Sequence, residues 1–120
     1  MRSLITAALV VAVAAGGVLA QSGPKYKVGE NGVKSPVLIK EVKPRYTDSA
    51  KARQVQGTVE VAAVVLRDGT VGDVRVTRSL DEELDQQAID ATKQWRFRPG
   101  TKDGNAVDVE VQIELTFTLK

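Results

Sequence analysis

The stretch Ser79-Leu-Asp-Glu-Glu-Leu-Asp-Gln-Gln-Ala-Ile-Asp-Ala-Thr-Lys-Gln-Trp-Arg-Phe-Arg-Pro99 decides the reading of the chain. Leu84, Ala88, Ala91 and Trp95 recur at the spacing of one face of an α-helix. Ser79 followed by Glu82 reads as a capping box. Asp81, Glu83 and Asp85 lie near the positive end of the helix dipole, with Lys93 and Arg96 near the negative end. Pro99 forbids continuation. Trp95, the single tryptophan, stands where the helix passes into an extended Arg96-Phe97-Arg98. It is the largest apolar side chain available to a core, so a sheet is expected to pack around it.

Upstream, Thr58 to Arg78 has the pattern of a hairpin. Asp68-Gly69 supplies the dipeptide of a type I′ turn, so Arg67 should face Thr70. Counting back pairs Ala63 with Val74 and Val61 with Val76 on one face, and Glu60 with Thr77 and Ala62 with Arg75 on the other. Val64, Leu66 and Val71 make the second face apolar near the tip, which marks the first hairpin strand as central. Downstream, every odd position from Val107 to Leu119 is apolar and every even position from Asp108 to Thr118 is polar, led in by the turn Asp103-Gly104-Asn105. A right-handed crossover through the long helix sets this last strand antiparallel beside the first hairpin strand. The expected fold is therefore α+β: a small three-stranded antiparallel sheet, hairpin plus C-terminal strand. One face is covered by the long helix and by a short one at Ser49 to Gln54, capped by Thr47 or Asp48.

The rest of the chain bounds the chemistry. Its 120 residues make one small domain, with no Cys and no His. Disulfides, thiolate chemistry and the usual proton shuttle and metal ligand are excluded. The formal charge of +2 is too small for a nucleic-acid binder. Met1-Arg2, the uncharged run Leu4 to Ala15 and Val18-Leu19-Ala20 read as a secretory signal peptide over residues 1–20, cleaved after Ala20, with an uncleaved anchor as the alternative. Residues 21–36, rich in turn formers, are expected as a flexible lead-in to a domain at 37–120, which opens on a short strand at Val37 to Val42.

The series Lys43-Pro44-Arg45-Tyr46, Gln56-Gly57-Thr58-Val59-Glu60-Val61, Asp68-Gly69-Thr70-Val71, Ala88-Ile89-Asp90-Ala91 and Trp95-Arg96-Phe97-Arg98-Pro99 resembles the TonB C-terminal domain family. Pro44, Tyr46, Gly57, Asp68, Gly69, Trp95, Phe97 and Pro99 are its structural signature here. The resemblance implies a periplasmic module that grips an extended peptide of an outer-membrane transporter, or of another envelope protein, by adding it as a strand. It also implies motor subunits of the ExbB–ExbD kind. With no His to couple to a proton motor and only Pro24 and Pro36 in the lead-in, the resemblance supports the binding module more than the transducer: any such coupling would run through another protein, and the alternative is an envelope scaffold or homodimer uncoupled from a motor.

Trp95 and Phe97 are expected in the core, Tyr46 as a packing corner with its hydroxyl at the rim, and Arg96 and Arg98 pointing outward. Glu82, Glu83 and Asp85 could in principle supply acid and base, and Asp68 with Asp103 a cation site. A helix N-terminus and tight turns explain these carboxylates without chemistry, so no enzyme, cofactor or metal is expected. The binding site is placed on the last strand, at Val109, Glu110, Val111, Gln112, Ile113, Glu114 and Leu115. This long strand lacks Pro and Lys and is expected to leave one backbone row open to β-augmentation or to a homodimeric copy.

Overall fold

The computed structural model describes residues 3–10, as backbone, together with 25–30 and 32–119. The signal-peptide cleavage point after Ala20 lies outside the described residues. In chain order the elements are β1 Ser3–Val10, β2 Lys25–Lys27, β3 Val33–Lys34, β4 Val37–Lys40, α1 Asp48–Ala52, β5 Gly57–Val65, β6 Val71–Arg78, α2 Glu82–Thr92, β7 Arg96–Arg98, β8 Gly100–Lys102 and β9 Asn105–Leu119.

The expected order of hairpin and last strand holds: β6, β5 and β9 are neighbours, each pair antiparallel. The three-stranded sheet, however, is the centre of a seven-stranded one. β8 and β3 extend it past β9, and β1 and β2 also pair with β9. Separately, β4 and β7 form a two-stranded antiparallel ribbon. The sheet grows because β9 is longer than β5: Asn105 to Val107 project beyond it and pair with β8 across a turn at Asp103 and Gly104, both at positive φ (52° and 82°). The stretch expected as a flexible lead-in carries β2 and β3, and it places Val28 and Val33 in the core.

The helical stripe is buried as its spacing requires: Leu84, Ala88 and Trp95 are fully enclosed and Ala91 nearly so. Around them pack Val59, Val61, Ala63 and Val65 of β5 and Val109 to Phe117 of β9 at odd positions. The cap of α2 is Asp81 rather than Ser79. Asp81 is extended, and its carboxylate accepts from the N–H groups of Glu83 and Leu84, while Asp85 accepts from those of Leu80 and Asp81. Ser79 donates its hydroxyl to Asp85. The reciprocal capping is thus carried two residues downstream by carboxylates, the stronger acceptors. At the other end of α2, Arg96 donates from Nη1 to the Trp95 carbonyl at 2.8 Å.

The hairpin keeps the expected pairs Val61 with Val76, Ala62 with Arg75 and Ala63 with Val74, through different turn geometry. Gly69 N–H donates to the Leu66 carbonyl, Leu66 N–H donates to Thr70, and of the two turn residues only Gly69 has positive φ. This is a three-residue loop, a type I turn closed by a left-handed glycine, in place of type I′. A bulge between Ala63 and Val65 returns the strands to register, and a second, between Glu60 and Val61, puts Glu60 opposite Arg78 instead of Thr77.

Candidate strand-binding site

The residues of the signature gather at the two ends of β5: Tyr46 and Gly57 at the end that pairs with Phe117, and Gly69, Phe97 and Pro99 at the hairpin loop beyond Val65. Trp95 Nε1 donates to the Val42 carbonyl at 2.8 Å, and the Tyr46 hydroxyl donates to the Val55 carbonyl. The two bonds fix the extended corner around buried Pro44 between β4 and α1. Tyr46 stacks edge-on against Phe117 of β9, ring centres 5.3 Å apart, and burial raises its phenol pKa. Thr47 caps α1 by accepting from Ala50 N–H at 3.1 Å. Asp68-Gly69 and Trp95-Arg96-Phe97 meet directly: Phe97 N–H donates to the Gly69 carbonyl at 2.8 Å. Gly57, at φ 146°, lies where a Cβ would stand 2.7 Å from Leu80. These residues shape β5 and β9.

β9 is the element the others present. Its inner row pairs with β5 without interruption, Val109 opposite Val65 through Leu115 opposite Val59. The expectation that its outer row is vacant is corrected. Gln112 to Leu119 pair with β1, in antiparallel register from Val10 opposite Gln112 to Ser3 opposite Leu119. Asp108 to Glu110 pair with β2 in parallel. The physical reason is the one that made the edge conspicuous. A long row of backbone donors and acceptors takes up whatever uncharged extended segment reaches it, and Ser3–Val10 contains neither charge nor Pro. Only Val111 lies between the two added strands.

Side chains on β9 alternate between core and open face. Val109, Val111, Ile113 and Leu115 are buried, whereas Gln112 and Glu114 are half-buried on the other side. Glu110, on that side too, is almost fully covered, and Arg75 of β6 lies 3.0 Å from its carboxylate. Thr77 and Gln112 approach to 3.4 Å. Glu114 faces Glu60 directly across the strands, a like-charge pair that leaves a negative spot beside the outer row. Arg67 N–H donates to Asp108 at 2.8 Å, tying the hairpin loop to the start of β9.

Of the acidic residues singled out in the sequence, Asp85 accepts from the α2 start, Glu83 lies 3.6 Å from Arg53, and Asp68 is held within its own turn. The Asp81 carboxyl pKa is lowered, first by its hydrogen bond from Arg53 at 2.8 Å. The Asp68 pKa is lowered by hydrogen bonds from the Thr70 hydroxyl and N–H. No group of three potential metal ligands occurs among the described residues. Sequence reasoning missed the Arg75–Glu110 ion pair and β8. The signal for β8 was present: Gly100-Thr-Lys followed by Asp103-Gly104 is a short strand and a type I′ dipeptide. Gly100 is required there, since a Cβ would stand 2.6 Å from Val109 and 2.8 Å from the Lys34 carbonyl.

Known proteins share part of this sequence and this fold. The chain is 34% identical over 90 residues to protein TonB of Vibrio cholerae, an alignment covering 73% of this chain and 37% of that protein. Protein TonB of Pseudomonas aeruginosa is 31% identical over 96 residues, covering 73% of this chain and 28% of its own length. The chain thus spans about a third of the curated relatives it matches. The solution structure of the Pseudomonas aeruginosa TonB C-terminal domain superposes with a TM-score of 0.51 at 20% identity, covering 83% of this chain and 96% of that one, a likeness of fold. Residues 42–119 match the profile of the Gram-negative bacterial TonB protein C-terminal family, and the chain belongs to that family.

Proposed function

We propose that this chain is a periplasmic TonB-type binding module: it captures an extended peptide of an outer-membrane transporter, or of another envelope protein, as a strand added to the outer row of β9. In this way it serves energy-dependent transport across the outer membrane. Family membership supports the general role, and the one observation that carries strand addition is that this row already holds a strand from a distant part of the chain, β1, over eight residues in continuous register. Main-chain hydrogen bonds supply the affinity of such a contact, and the side chains beside them supply the choice of sequence. Since Glu110 is paired with Arg75, selection falls to Gln112 and Glu114, and a cation opposite Glu114 would relieve its repulsion with Glu60. Motor subunits of the ExbB–ExbD kind would act through another protein.

Proline tests the reading, because it deletes a backbone donor that side-chain changes leave in place. Substituted one position at a time from Glu110 to Glu114, it should give two alternating classes. Where the N–H points to the outer row, peptide affinity is lost and the fold kept; where it points to β5, the fold fails. A variant series in which every folded member binds transporter-derived peptide as the unsubstituted chain does would exclude this row.

A further inference from the structure

The β4–β7 ribbon stands apart from the main sheet and has two unlike faces. Leu38 and Phe97, opposite each other, turn inward and join the core. On the outer face Val37 is opposite Arg98 and Lys40 opposite Arg96, with Ile39 in the bulge between them. Val37 and Ile39 are the two exposed large hydrophobics among the described residues, at 53% and 65%. Lys40, Arg96 and Arg98 are also exposed, and none of them has a carboxylate within ion-pair distance among the described residues. Arg96 donates from Nη1 to the Lys93 and Trp95 carbonyls at the α2 exit. Lys34, Lys43 and Arg45 are exposed on the segments flanking β4, against the single acid Glu41.

We propose that this outer face is a membrane-docking surface that sets Val37 and Ile39 at the headgroup boundary of an anionic lipid leaflet while Lys40, Arg96 and Arg98 meet lipid phosphates. Two exposed branched aliphatic side chains among cations without carboxylate partners have the chemistry of an interfacial contact, apolar at its centre and cationic at its rim. The guanidinium fork suits phosphate oxygens. Size argues against a protein partner on this face, because the five outer-face residues Val37, Ile39, Lys40, Arg96 and Arg98 offer far less than the roughly 800 Å² per partner of a stable protein interface. The contact is weak and salt-sensitive, so it would orient the module beside a bilayer and leave β9 open to its strand.

The absence of Cys makes the test clean, since one introduced thiol can be labelled alone. Full-length I39C and, as a control on the exposed side of α2, Q86C would each carry an environment-sensitive fluorophore. They would be titrated with vesicles of phosphatidylcholine and with vesicles containing phosphatidylglycerol. The label at 39 should shift to the blue with phosphatidylglycerol alone, the label at 86 should not move, and the shift should disappear in 0.5 M salt, on the order of the screening that removes surface attraction. K40E together with R98E, both on exposed positions, should raise the half-saturating lipid concentration at least about tenfold with the fold unchanged. The proposal is overturned by an unmoved label at 39, by equal shifts at 39 and 86, by equal response to both vesicle types, or by a response to polyglutamate that vesicles do not give. Strand binding by β9 is read separately by peptide titration, so either result stands without the other.

Discussion

A methyl group on Gly69 would stand 2.1 Å from the Phe97 carbonyl oxygen, and the residue also sits at φ 89°. Gly104 has nearly the same φ, 82°, with nothing within 4 Å. The pair separates backbone strain from collision: Gly104→Ala should cost about 1 kcal/mol, the strain alone, and Gly69→Ala at least about twice that. Equal losses in urea denaturation would mean that the contact between the hairpin loop and β7 yields freely. At the core, Trp95→Ala removes a fully buried indole and its bond to the Val42 carbonyl, and should cost about 3–5 kcal/mol. Arg98→Ala, on an exposed side chain, should stay within about 0.5 kcal/mol. The Trp95 environment was legible because one apolar spacing and one aromatic pointed the same way. The carbonyl partners of Trp95 and Tyr46 were not, since nothing in a sequence says which distant backbone group will lie at the ring's polar end.

At the start of α2 two candidates for the cap, Ser79 and Asp81, are two residues apart, and pattern alone favoured the serine. The structure selects the aspartate because Arg53 of the α1 exit reaches it, a partner twenty-eight positions away. Asp81→Ala should therefore cost about 1 kcal/mol and Ser79→Ala less. The pH dependence has a definite sign. Hydrogen bonds depress the Asp81 pKa in the folded state, so its contribution is fully present above the ordinary carboxyl value, about 3.9, and is lost as pH falls through the depressed one. Asp81→Asn keeps a capping oxygen and does not titrate. Its stability should fall less steeply than that of the unsubstituted chain from about pH 4 downward, as read by denaturation midpoints at each pH, and parallel slopes would contradict the assignment. The hairpin was read correctly from Val61 to Ala63 and wrongly at its tip and at Glu60, for a related reason. Alternation fixes which residues share a face, so the bulge after Ala63 had to restore the register that the longer loop had displaced.

Across the whole molecule, alternation made β9 visible as the longest strand and crossover handedness set it beside β5. Neither could tell how its other side is filled, because pairing of a backbone row depends on which segment reaches it rather than on the row's own side chains. In the full chain that side holds β1 and β2, so the proposed partner takes the place of β1 along Gln112 to Leu115; cleavage after Ala20, as the sequence predicts, would remove β1 and leave that stretch to the partner. The negative spot at Glu60 and Glu114 gives this competition a handle: Glu114→Gln should leave stability unchanged or raise it by up to about 1 kcal/mol, and should weaken the preference for peptides with a cation at the facing position. The most direct measurement is titration of the isotope-labelled full chain with a transporter-derived extended peptide, followed by backbone amide shifts. Strand addition predicts saturable shifts along Val109 to Leu115, together with movement of the Ser3–Val10 amides as that strand is displaced. Saturable shifts confined to α2, with β9 and Ser3–Val10 unmoved, would contradict it.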